Sequence, residues 1–269
     1  MALAHPKSRL PLIIGHRGSS AVAPENTLAA FKQSILDGAN GIEFDVRLAG
    51  DGVPVVIHDA TVNRTATKEA LHYLTGTHVS ELSSTELSQV DVVGRFLNTP
   101  FEYSTKIPTL RALFELYVDA PGVLYLEMKG EPVEERLIRE VVGLIHAHSF
   151  QQRVLVESFD HPALLLLKQF APEVRTAPLF ESGLRTALRF RSPEQILRRA
   201  ERMRANEVAL HYKLANDRRT RFLKDKGFEI VIWTVDDPEW IPTARRLGIK
   251  GVITNNPAAM LRYRDSLGV

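Results

Sequence analysis

A chain of 269 residues, 44% of them hydrophobic, can bury a sizeable core as one large barrel or two ordinary domains. Its formal charge of +2 leaves no strongly basic face of the kind that displaces phosphate counterions, so no nucleic-acid partner is expected. The absence of cysteine excludes disulfide staples, thiolate metal sites and thiol nucleophiles.

The N-terminal stretch MALAHPKSRLPLIIGHRG holds Pro6 and few apolar residues before a strand, so it lacks the apolar run of a signal peptide. With no run long enough for an integral membrane segment, the expected location is the cytoplasm. Short β-type runs then recur near 12–14, 41–46, 54–57, 123–128, 153–157, 174–179, 207–211, 229–234 and 251–254. Helical patterns separate them: one opening at PENTLAAFKQSILDG and closed by Gly38, then others near 109–119, 132–148, 161–170, 193–205, 217–227, 238–247 and 256–264. Strands alternating with helices generate a parallel sheet covered by helices. The link LAGDG between the second and third runs is too short for a parallel crossover, so 54–57 is an antiparallel hairpin partner. Eight strands remain, which is a TIM (β/α)8 barrel of the α/β class with a small insertion after the second strand. Residues 59–106 read as loops with one short helix at SSTELSQV, inserted over the barrel mouth. No repeat or linker divides the chain, so a single domain spanning 1–269 is expected. The arginines between Arg185 and Arg204 lie at helical spacing and read as a solvated helix face rather than an anion site.

Chemistry concentrates where these strands end. In GIEFDVRL, Ile42, Phe44 and Val46 alternate with Glu43 and Asp45, so the two carboxylates share a face. Inside an all-parallel barrel that face meets the interior, and like charges held there need a cation between them. A hard divalent ion with oxygen ligands fits. In LYLEMKG, Glu127 and Lys129 share a face in the same way. If that strand neighbours 41–46, Glu127 completes a three-carboxylate site and Lys129 faces an anionic ligand; otherwise the two form an ordinary ion pair. His16 in LIIGHRGSS and His58 in PVVIHD both end apolar runs, where catalytic groups gather on a barrel, and a pair suggests an acid and a base. Arg17, flanked by Gly15 and Gly18, has room to grip two phosphate oxygens. Trp233 in IVIWTVDD faces either the interior or a ligand, and His211, which ends another run, is a reserve candidate.

These blocks together resemble the glycerophosphodiester phosphodiesterase family. The resemblance runs in order through IIGHRGSSAVAPENTLAAF, GANGIEFDVRLAGDGVPVVIHDATVNRTA, GTHVSELSSTEL, KIPTLRALFEL, YLEMKG, VESFD, IVIWTVDD and GVITNNP. It implies a barrel with an insertion, one Mg2+ or Ca2+ ion, and cleavage of small-molecule glycerophosphodiesters to glycerol 3-phosphate and an alcohol. Carried onto this chain, it makes His16 and His58 the general acid/base pair and Arg17 a phosphate clamp. It makes Glu43, Asp45 and Glu127 the metal ligands, with Lys129 on the phosphate and Trp233 against the glycerol end. Glu25 and Asn26 would support the mouth near His16. The family carries an aspartate where this chain has Asn255, so a charge at that position is not carried over. Two rivals use the same barrel: a lyase-type phospholipase, for which VVGRFLNTPF is a candidate apolar rim, and a phosphoester-binding protein without catalysis.

Overall fold

The computed structural model of the protein describes residues 10–97, 99–183 and 192–267. Eight strands run parallel around a closed ring: β1 Leu12–His16, β2 Gly41–Leu48, β4 Val123–Met128, β5 Val154–Ser158, β6 Arg175–Phe180, β7 Glu207–His211, β8 Glu229–Trp233 and β9 Gly251–Thr254. Closure comes from β1, which pairs with β9 on one side and with β2 on the other. The ninth strand, β3 Pro54–Val56, stands outside the ring, antiparallel to β2 with Val46 opposite Val56. That is the hairpin arrangement expected from the five-residue link.

Helices cover the ring: α1 Leu28–Leu36, α4 Leu110–Tyr117, α5 Glu135–Ala147, α6 His161–Phe170, α7 Pro193–Arg202, α8 Asp217–Asp225, α9 Trp240–Leu247 and α10 Pro257–Ser266. The outward residues of β2, β4 and β5, Phe44 and Leu126 among them, pack with Phe31, Phe114 and Ile138 of the helices into one core. The outward residues of β7 to β9 make a second with α7, α9 and α10. Each fully buried aliphatic or aromatic side chain contributes about 1.5–3 kcal/mol relative to its exposed state. Gly41 permits the close approach of β2 to β4, since a Cβ there would lie 2.2 Å from the carbonyl oxygen of its partner Val123.

The first helix begins at Leu28, later than the pattern suggested. Thr27 caps it, accepting from Ala30 N and donating to Pro24 O, so Pro24–Asn26 form the turn that enters the helix. The insertion also departs from expectation. It contains α2 Lys68–Leu74, which the sequence reading took as loop, besides α3 Ser84–Leu87 in the expected place. The residues of α2 are at most partly buried, with Ala70, Leu71 and Leu74 leaning on the insertion's small core, so its stripe is short, and the Thr67 cap marks its start. Val62, Val79, Leu87 and Ile107 pack with Val55 of β3 into a small core that fixes the insertion to the barrel. Residues 184–191, which carry part of the arginine run, and the N-terminal residues 1–9 lie outside the described residues.

Inside the ring, Ile14, Leu155, Ala177, Ala209, Val231 and Ile253 form an apolar layer with Tyr125. Below it, at the amino ends of the strands, Glu207 is fully buried and accepts a hydrogen bond from Tyr125 Oη at 2.9 Å, with Arg175 and Lys250 as ion-pair partners. Among the described residues no helix is long and apolar enough to cross a membrane.

Candidate active site

The barrel's alternation delivers the carboxylates as the sequence pattern required. Asp45 and Glu127 are register partners across β2 and β4, and Glu43 sits beside His16 across β1 and β2. Glu43, Asp45 and Glu127 are all buried, and one oxygen from each lies within 4.8 Å of the others. Crowding of this kind disfavours ionisation. Burial, then Asp45 and Glu157, raise Glu43 well above the ordinary carboxylate range. Burial pushes Glu127 up to about 7 against the pull of Lys129. Burial also acts to raise Asp45, but Lys129, Arg17 and His58, with the hydrogen bond from Asn26, carry it well below that range.

The cations are in contact with this cluster. Lys129 Nζ lies 2.6 Å from Glu127 Oε1 and 3.0 Å from Asp45 Oδ1, and Arg17 Nε lies 3.1 Å from Asp45 Oδ2. Even so, Asp45 Oδ1 is buried with no well-directed hydrogen bond among the described residues. Three converging buried carboxylates, one of them with an oxygen that lacks a well-directed hydrogen bond, fit a hard divalent ion, which takes oxygen ligands and completes its shell with water.

A fourth carboxylate joins them. Glu157, register partner of Glu127 on β5, is 1% exposed, and its Oε2 has no hydrogen-bond partner among the described residues. Burial, then Glu127 and Asp45, raise it well above the usual range. Sequence reasoning passed over it, although its alternation with Val154 and Val156 in VLVES was the same signal that found Glu43.

The loop after β1 is shaped to turn Arg17 inward. Arg17 has φ 54° and Gly18 φ 82°, and a Cβ on Gly18 would sit 2.6 Å from the backbone of Ala30. Arg17 N then donates to Glu43 Oε2 at 3.1 Å, and Nη1 donates to Glu25 Oε1 at 2.7 Å. Asn26 donates through Nδ2 to Asp45 Oδ2 at 2.8 Å, holding that carboxylate in place.

His16 ends β1 and His58 follows β3, two strands that pair with the same edge of β2, and each ring has a different group behind it. His16 Nε2 lies 3.8 Å from Glu43 Oε2, and Nδ1 lies 2.7 Å from Asn255 Oδ1. Asn255 donates to Asp236 through both its backbone N and Nδ2, at 2.7 Å each. A carboxylate only accepts, so Asp236 fixes the orientation of the amide, and Asn255 Oδ1 receives its hydrogen bond from His16 Nδ1–H. Burial and then Arg17 push His16 down to about 4. His58 Nδ1–H donates to Asp59 Oδ1 at 2.6 Å, and burial lowers this ring too, against the pull of Asp45.

Trp233 stands half-buried at the end of β8, edge-to-face with Phe159 at 5.6 Å and with His211 at 5.3 Å. His211 is therefore at the rim but belongs to this aromatic wall, not to the imidazole pair. His161 is buried against Phe180, while His146 pairs with Glu173 and His148 packs on Phe114, away from the mouth. A cleft of about 530 Å³ opens beside the site between Ser20, Glu25, Arg64, Phe96, Asp236 and Asn255. Of the suggested apolar rim, Val92 is buried and Phe96 packs on Phe101 at 5.9 Å, leaving Leu97 as the large apolar side chain that is exposed there.

With this geometry in place, the likenesses to known proteins are consistent with one another. Residues 16–259 match the model of the glycerophosphoryl diester phosphodiesterase family. A glycerophosphodiester phosphodiesterase of Caldanaerobacter subterraneus is 33% identical over 255 residues, covering 93% of this chain and 96% of that protein. The solved structure of an Oleispira antarctica phosphodiesterase in complex with the product sn-glycerol-3-phosphate superposes with a TM-score of 0.80 at 28% identity, covering 95% of this chain and 97% of that one. That of a Thermotoga maritima glycerophosphodiester phosphodiesterase has a TM-score of 0.69 at 26% identity, covering 94% and 98%.

Proposed function

The chain belongs to the glycerophosphoryl diester phosphodiesterase family, and from that premise we propose that it hydrolyses glycerophosphodiesters to glycerol 3-phosphate and an alcohol, using one divalent cation, Mg2+ or Ca2+. On this reading it is a single TIM-barrel phosphodiesterase domain whose insertion roofs part of the mouth. The observation that carries it is the gathering of an arginine fork, a lysine and two imidazoles around three buried carboxylates at the carboxyl ends of neighbouring strands.

Glu43, Asp45 and Glu127 are the residues that would hold the ion, which when bound supplies positive charge to the phosphoryl oxygens. Arg17 and Lys129 orient the same oxygens, and their ion pairs with Asp45 hold them aimed before substrate arrives. Trp233 presents its half-buried face to the glycerol end. The groups behind the imidazoles give the proton transfers a direction. His16 has Nδ1–H committed to a neutral amide and is pushed down to about 4, so at neutral pH its Nε2 is a free base. It takes the proton of the attacking hydroxyl. His58 has the Asp59 carboxylate behind it, which fixes its Nδ1–H and pulls against the burial that lowers the ring, and in its protonated form it delivers a proton to the departing alkoxide. Attack comes either from water directly or first from the glycerol 2-hydroxyl, closing a cyclic phosphate. A 2-deoxyglycerol diester separates the two, because the cyclic route cannot begin without that hydroxyl.

The test is a panel of glycerophosphodiesters bearing choline, ethanolamine, glycerol or inositol, assayed for glycerol 3-phosphate with Mg2+ and with Ca2+. Release that EDTA abolishes and added ion restores is the expected result. A chain that releases no glycerol 3-phosphate from any of them with either ion is not this enzyme.

A further inference from the structure

The two groups that flank the carboxylates from outside, Glu25 and Asp59, are joined by one side chain of the insertion. Arg64 Nη1 and Nη2 donate to the two oxygens of Glu25 at 2.8 and 2.7 Å, and Nε donates to Asp59 Oδ2 at 2.6 Å. Each carboxylate faces the mouth with the same group. Glu25 Oε1 also accepts from Arg17 Nη1 at 2.7 Å, and Asp59 Oδ1 accepts from His58 Nδ1 at 2.6 Å. The chain of contacts therefore runs from His58 through Asp59, Arg64 and Glu25 to Arg17, and from Arg17 to Asp45. Arg64 is itself firmly mounted: Val62 beside it is fully buried, and Thr65 N and Ala66 N both donate to Val62 O.

We propose that Arg64 is a positioning residue, setting the ring of His58 through Asp59 and the fork of Arg17 through Glu25. The inference rests on the phosphodiesterase reading of the site. A planar guanidinium presents donors in fixed directions, so a bidentate hold on Glu25 and a third bond to Asp59 fix the two carboxylates relative to each other. A lysine, with one point of charge, cannot make that bridge. Arg64 is 48% exposed, so its ion pairs are worth little to stability. Their consequence for catalysis is separate, because a general acid or base acts only when its proton lies on the line of transfer. The arrangement also gives the insertion a task beyond covering the mouth.

The experiment uses the full chain with Mg2+ and sn-glycero-3-phosphoethanolamine, or whichever diester of the panel is cleaved best. Arg64→Ala and Arg64→Lys are each expected to lower kcat about 10- to 100-fold, the lower part of the range for a misdirected acid or base, with a thermal midpoint near that of the wild type. Asp59→Asn should lower kcat, Glu25→Gln should chiefly raise KM, and Arg64→Ala should do both. Because Arg64 acts on His58 through Asp59, the kcat of Arg64→Ala/Asp59→Asn should fall about as far as that of the slower single variant, not by the product of the two. Arg246→Ala serves as control: it removes a comparably exposed pair with Asp217, both contacts within 2.7 Å, on the outer helices and should keep wild-type kinetics. An independent arm needs no substrate. Long-range 1H–15N spectra, with His58 assigned by its loss in His58→Gln, should show the Nδ1–H tautomer in the wild type and a mixture in Arg64→Ala. Wild-type kcat and KM in Arg64→Ala, multiplicative losses in the double variant, or an unchanged His58 tautomer would each overturn the proposal. If the wild type cleaves no diester, the functional reading fails, and the spectra still decide whether Arg64 orients His58.

Discussion

Affinity for the divalent ion should tighten steeply with pH across the neutral range. Four buried carboxylates, Glu43, Asp45, Glu127 and Glu157, meet the two cations Arg17 and Lys129, so the fully ionised cluster carries an excess negative charge that one divalent ion matches. Without the ion, protons relieve the crowding: Glu43 and Glu157 are raised well above the ordinary range and Glu127 is pushed up to about 7. An ion that takes carboxylate oxygens must displace those protons, so binding is favoured at high pH and lost as pH falls. With a midpoint near 7, the ionised fraction of Glu127 rises from roughly a tenth at pH 6 to roughly nine-tenths at pH 8, a gain of about tenfold in affinity or ~1.4 kcal/mol. Glu43 and Glu157, raised in the same direction by burial and by their neighbours, can only steepen this rise, so about tenfold is the least change expected. His16, pushed down to about 4, is neutral throughout and adds nothing. Calorimetric titration with Mg2+ or Ca2+ at pH 6 and 8, in buffers of different protonation enthalpy, measures both the affinity and the protons released. Equal affinity at the two pH values, or binding without proton release, would refute the account of a proton-loaded carboxylate site.

Other expectations follow from particular contacts. His16→Ala and His58→Ala should each cut turnover by about 10²–10⁴-fold while circular dichroism stays that of the wild type, and wild-type-like turnover in both would remove them from the acid/base role. Glu207→Gln removes the carboxylate that Arg175 and Lys250 hold, and because both cations are partly exposed the loss in urea unfolding should be about 1–3 kcal/mol. Activity at 25 °C should survive that change, since Glu207 opens β7 at the end of the barrel away from His16 and His58. Gly41→Ala forces a Cβ to within 2.2 Å of Val123 O, an atom of paired backbone that cannot swing aside. It should cost at least about 1–3 kcal/mol or yield no soluble protein, and unchanged stability in urea would show that β2 and β4 can separate freely.

The ring of strands was legible because its physics is local. A parallel barrel strand must be apolar outward over several residues, and a five-residue link can join only antiparallel neighbours, so the eight strands and the hairpin partner could be told apart before any pairing was known. The insertion obeys no such period. Its helix α2 buries no residue fully, and its attachment to β3 through Val62, Val79 and Leu87 is a matter of tertiary packing that no window of sequence contains.

The site divides along the same line. Glu43, Asp45 and Glu127 announced themselves by strand alternation, and His16 and His58 by their place after apolar runs. Residues that act on these from loops had no such signature, and Asp236 is the instructive case. The resemblance leads one to expect a carboxylate at position 255, where this chain has an amide. The chain instead keeps a carboxylate one step further back, with Asp236 gripping both donors of Asn255 and Asn255 gripping His16. Orientation passes through an amide as well as through a carboxylate, because it depends on which atom donates. Charge does not pass, and a ring backed by a neutral oxygen in a buried place resists protonation. The amide therefore fixes the ring's geometry without adding a carboxylate's charge, so burial and Arg17 prevail and hold His16 in the neutral form that a base requires, whereas His58 has the Asp59 carboxylate behind it.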